Sequence, residues 1–130
     1  MPHHSRLSTL VLDCRVDDLR AAADFWSAAL GKPVQSHDED GDGRYARLHS
    51  ADDEPILLLQ KVDHDSRIHL DIETDDLEAE VARLRRLGAT EVSRPHDGRW
   101  VVMQAPSGHR FCVVRPQRTP SGPHLNRWDE

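Results

Sequence analysis

The sequence predicts an α+β fold built from two tandem βαβββ modules. Three observations carry that prediction. LDCRVDDL at 12–19 returns as LDIETDDL at 70–77, with five of eight positions identical at an offset of 58. DGRY (Asp42 to Tyr45) returns in the same order as DGRW (Asp97 to Trp100), at an offset of 55. Between these matches both copies carry the same punctuation, including Leu30-Gly31 and Leu87-Gly88. A repeat of this period means one supersecondary unit used twice, and a unit of roughly 60 residues is marginal until it shares a core with a second.

Each module opens on a strand. In LVLDCRV, Leu10, Leu12, Cys14 and Val16 share one face, and Val11, Asp13 and Arg15 the other. In IHLDIET, Ile68, Leu70 and Ile72 oppose His69, Asp71 and Glu73. Such alternation marks a half-buried strand. A helix follows in each. Asp17 and Asp75 are the predicted N-caps, with Glu78 at the capping-box position. Leu19, Ala22, Ala23, Trp26, Ala29 and Leu30 form one apolar stripe, and Leu77, Val81, Leu84 and Leu87 the other. Gly31 and Gly88 stand where a left-handed residue ends a helix. Three short strands complete each module, near 34–37, 44–50 and 56–62, then near 91–94, 99–104 and 110–116. Gly-containing turns separate them, notably DEDGDG at 38–43 and PSG at 106–108. DEDGDG resembles half a calcium loop but lacks the downstream glutamate, so it reads as an acidic turn. Module one spans about 7–62 and module two about 67–116, within a single domain 1–116. The tail, 117–130, is polar and proline-rich and reads as extended or loosely ordered. Its Trp128 is expected to lie on a nearby apolar surface, with capping of a ligand cleft as the sharper alternative.

Composition narrows the function classes. The net charge of −6 argues against nucleic acid, whose binding depends on Lys and Arg neutralising phosphates. No apolar run approaches the roughly 20 residues that span a bilayer, and the N-terminus lacks signal-peptide order. A cytoplasmic location and no membrane partner are expected. Cys14 and Cys112 show no zinc spacing, and MPHH is too short for a metal site.

The tandem module resembles the vicinal oxygen chelate superfamily, which includes glyoxalase I, the bleomycin-resistance proteins and extradiol dioxygenases. The carriers are RVDDLRAAADFWSAALG (15–31), HLDIETDDLEAEVARLRRLGA (69–89) and APSGHRFCVV (105–114), and the resemblance covers about residues 7–116. It implies a curved mixed sheet around a cleft, where many members bind a divalent metal through His and Glu of the first and last strands. Carried over by residue, those positions are Val11, one of Leu57, Leu58 or Gln60, His69, and Cys112 in place of a glutamate. Only His69 is a firm ligand, so no metal and no cofactor are predicted. A soft metal on His69 and Cys112 with a third group is the lesser alternative.

By parity Asp13, Arg15, His69, Asp71 and Glu73 point the same way and, with Cys112, form the predicted ligand-binding set. Two readings stand. The side chains form internal ion pairs, with Arg15 taking an Asp, or they line a small-molecule pocket where His69 acts as acid or base. Arg15 matches a position that contacts an anionic substrate group in glyoxalase I. The expected function is binding of a small molecule without a conventional divalent-metal site. The alternatives are a glyoxalase-type lyase or isomerase using His69, or a module that serves mainly as a dimer partner. A homodimer is expected in each case.

Overall fold

Apolar alternation marks a first strand near 10–16, but β1 (His3–Cys14) begins well before it. Its early residues His3, Ser5 and Arg6 are buried yet polar, so they leave no apolar pattern to read. The computed structural model describes residues 2–37, 43–119, 122 and 124–129. After β1 come α1 (Leu19–Leu30), β2 (Val34–His37), β3 (Tyr45–Leu48), β4 (Ile56–Lys61), β5 (Arg67–Thr74), α2 (Leu77–Arg86), β6 (Thr90–Ser93), β7 (Val101–Gln104), β8 (Arg110–Val114) and β9 (Asn126–Trp128). The chain is α+β, and β1-α1-β2-β3-β4 and β5-α2-β6-β7-β8 are the two βαβββ modules. It divides into an N-terminal unit, Thr9–His69, and a C-terminal unit, Leu70–Glu130 with Met1–Ser8.

In the N-terminal unit the strand order is β2-β3-β4-β1. β1 runs parallel to β4, with Leu12 opposite Leu59, while β2-β3 and β3-β4 are antiparallel. A parallel pair needs a crossover, and α1-β2-β3 supplies it. Leu19 and Ala23 of α1 pack on Cys14, Ala46, Leu48 and Leu59, with Trp26 partly buried alongside. Leu48 and Leu59 are 0% exposed, and burial of such a side chain stabilises by about 2 kcal/mol. Ala29 and Leu30, expected on the stripe, are exposed on the last turn, beyond the residues that reach this core. Gly31 ends the helix at φ 66, ψ 31, the left-handed conformation that glycine adopts without a Cβ clash.

Both N-caps fall one residue later than predicted. Asp18, not Asp17, is extended and accepts the Arg20 N–H at 3.0 Å. Asp76, not Asp75, accepts the Ala79 N–H at 3.1 Å. Asp75 is instead engaged by His4, whose backbone N–H and Nδ1 lie 2.8 and 2.9 Å from its carboxylate. With the cap moved, Glu78 leaves the capping-box position and pairs with Arg94.

In the C-terminal unit β5 runs parallel to β8, with Ile72 opposite Val113, and β7 and β6 follow antiparallel. Val81 and Leu84 of α2 pack on Ala89, Val101, Met103 and Val113. Leu87, expected on that stripe, is the C-cap residue and is 66% exposed. Glu78 and Glu80 in the first turn and Arg83, Arg85 and Arg86 in the last complement the helix dipole. Within the tail, residues 126–128 form an extended strand. β9 pairs antiparallel with the start of β1, His3 opposite Trp128. The acidic turn predicted at 38–43 lies outside the described residues except for Gly43. No helix among the described residues is long and apolar enough to cross a membrane.

Candidate functional site

In the N-terminal unit the candidate site is a carboxylate and an imidazole. Asp13 is buried on β1, in register with Gln60 of β4. Its Oδ2 lies 2.8 Å from Nδ1 of His69, near the start of β5. The side chains are 3% and 17% exposed, so the pair is largely shielded from water. Arg67 Nε is 3.7 Å from the same oxygen, beyond hydrogen-bond range, on a side chain 53% exposed. Asp13 Oδ1 is buried with no hydrogen-bond partner among the described residues.

Arg15, predicted to pair with an aspartate of this face, turns to Asp65 instead at 3.0 Å, and both side chains are exposed. The loop holds it there, because the Arg15 backbone N–H donates to Ser66 Oγ at 2.9 Å. Arg15, Val16, Asp17, Lys61, Val62 and Asp63 line an open depression at the carboxyl ends of β1 and β4.

In the C-terminal unit Asp71 faces Cys112 across the β5–β8 ladder, with ligand atoms within 4.8 Å. Glu73 is 1% exposed and is held by the Arg6 guanidinium and by the Gln117 backbone N–H at 2.6 Å.

Donor chemistry tests the superfamily's divalent ion. Val11 is buried and sits opposite Leu58 in the β1–β4 ladder, and neither side chain can ligate. Among the described residues, the donors that could ligate are the His69 imidazole, the Asp71 carboxylate and the Cys112 thiol. Oxygen and imidazole suit hard or borderline divalent ions, whereas thiolate selects softer ones. This donor set does not fit the conventional site.

A second polar cluster escaped the sequence reading. His3 Nε2 donates to Glu80 Oε1 at 2.8 Å, and Arg83 grips both oxygens of Glu80 at 2.8 Å. Trp128 lies with its ring 3.9 Å from the Arg83 guanidinium and donates from Nε1 to Ser5 Oγ at 2.8 Å. Burial is the largest influence on Glu80 and opposes its charge, yet hydrogen bonds from Arg83, His3 and Ser5 hold its carboxyl below the ordinary range. The available signal was position: Glu80 is three residues from Leu77 and four from Leu84, on the apolar stripe.

A family model described as a glyoxalase-like domain matches residues 9–114. The chain belongs to this glyoxalase-like family. The resemblance to the vicinal oxygen chelate superfamily therefore holds, and solved structures share the fold. A hypothetical protein from Bacillus halodurans matches at TM-score 0.64 and 11% identity, covering 91% of the glyoxalase-like chain and 99% of its own. Methylmalonyl-CoA epimerase from Mycobacterium tuberculosis matches at TM-score 0.59 and 20% identity, covering 87% and 89%. A glyoxalase/bleomycin resistance protein/dioxygenase superfamily member from Vibrio splendidus matches at TM-score 0.53 and 18% identity, covering 86% and 99%. No curated protein matches the chain.

Proposed function

We propose that this glyoxalase-like chain binds a small molecule at the strand face carrying Asp13 and His69, without a conventional divalent-metal site. The observation that carries this reading is the buried Asp13 carboxylate, hydrogen-bonded at 2.8 Å to an imidazole and left with one unsatisfied buried oxygen. A polar pair sunk into a strand face costs desolvation unless it serves a partner. Val11, where one ligand would stand, cannot ligate, which supports binding without a metal.

A second reading, a glyoxalase-type lyase or isomerase, is favoured by the same pair. An imidazole oriented by a carboxylate is a recurring acid–base device, and His69 would take or give the proton.

Elemental analysis of the purified protein, before and after incubation with nickel, zinc, manganese and iron, tests the metal-free reading. Less than one metal per chain throughout is the expected result. A metal retained near one per chain and lost in His69→Ala overturns it. A thermal-shift screen of small aromatic, cationic and hydroxylated compounds is expected to yield a ligand that raises Tm in the wild type and not in His69→Ala.

A further inference from the structure

We propose that Asp13 is a positioning residue that fixes His69 in the form carrying its proton on Nδ1, which places the imidazole lone pair on Nε2. This deepens the small-molecule reading and rests on it, because it names the atom through which His69 acts.

An ionised carboxylate only accepts hydrogen bonds, so the 2.8 Å contact from His69 Nδ1 to Asp13 Oδ2 requires a proton on Nδ1. Neutral imidazole has one N–H, and the hydrogen bond made by one nitrogen decides the state of the other. Each partner is held from its own side. Asp13 is fixed by the β1–β4 register, opposite Gln60. His69 lies on β5, with its side chain 17% exposed.

Competition for the aspartate is weak. Arg67 stands 3.7 Å from Oδ2 on a half-exposed side chain. Oδ1 makes no hydrogen bond among the described residues, so His69 supplies the one short hydrogen bond to this buried carboxylate. Rotating the imidazole away would leave a buried carboxylate with no hydrogen bond, a penalty that Arg67 at 3.7 Å offsets only in part. The carboxylate therefore dictates the tautomer. A ligand group that meets Nε2 must offer a proton, as a hydroxyl, an ammonium or an acidic C–H does.

Long-range ¹H–¹⁵N correlation on the full chain with labelled histidine reads this directly, at a pH well above the usual histidine range. His69 is assigned by the resonances lost in His69→Gln. The expected result is an unprotonated Nε2 shift and a protonated Nδ1 shift, with Nδ1–H lost in Asp13→Ala. A wild-type His69 protonated on Nε2 overturns the proposal, as does an Nδ1–H that persists in Asp13→Ala. Should Asp13→Ala fail to fold, the wild-type Nδ1 proton decides. A downfield, slowly exchanging resonance supports the contact with Asp13, and a rapidly exchanging one overturns it. Failure of the small-molecule reading is distinct: the tautomer would be as proposed while no compound of the screen shifts the His69 resonances.

Discussion

His3 and Glu80, 77 positions apart in sequence, share a 2.8 Å hydrogen bond with both side chains 0% exposed. Arg83 completes the cluster, and Trp128 closes over the arginine. A buried carboxylate held this way ties the start of β1, helix α2 and the last strand into one unit.

Glu80→Gln is expected to destabilise the protein by about 3 kcal/mol, because removing one partner of a buried pair strands the other charge. Chemical denaturation at neutral pH measures it. The folded carboxyl lies below its ordinary value of 4.5, so the unfolded chain binds more protons in that interval. Its contribution to stability is complete above about 4.5 and is lost as pH falls through the folded value. In Glu80→Gln the acid-side decline is expected to be shallower than in the wild type.

Trp128→Ala is expected to cost about 1–2 kcal/mol, from loss of the cation–π contact with Arg83 and the hydrogen bond to Ser5. Trp128→Phe keeps the ring and should recover part of that loss. Thermal unfolding of both variants checks the order, and equal losses would show that the ring contact contributes nothing.

Gly31 and Gly88 separate two costs. Gly31, at φ 66, has nothing within 4 Å of an added Cβ, so Gly31→Ala carries only the backbone penalty, about 1 kcal/mol. Gly88, at φ 107, would place its Cβ 3.1 Å from Pro106 Cγ. Gly88→Ala is expected to lose more stability than Gly31→Ala in the same denaturant titration.

Leu59→Ala in the N-terminal unit is expected to cost about 3 kcal/mol, since the side chain is 0% exposed within the core under α1. Leu87→Ala, by contrast, should change stability by less than about 0.5 kcal/mol, because Leu87 is 66% exposed. A similar loss in both would contradict the placement of Leu87 outside the core.

The candidate site was legible only in part. Strand parity put Asp13 and His69 in the same candidate set, and the structure joins them. Parity also put Arg15 and Glu73 there, and the structure turns one to Asp65 and the other to Arg6. Parity names a face; it is silent on which cation reaches which carboxylate. The shifted caps have a similar cause, because either aspartate of each DD pair could cap and His4 engages Asp75.

By itself the sequence determined the two βαβββ modules, their helices and the glycines that end them, because repeat spacing, period and turn chemistry are local properties written along the chain. Only the tertiary structure decided the partners: Asp13 with His69, Arg6 with Glu73, His3 with Glu80, and a last strand beside the first. Those pairings join residues 56 to 125 positions apart, as His69 is from Asp13 and Trp128 from His3. They depend on ladder register and side-chain reach, which no local pattern encodes.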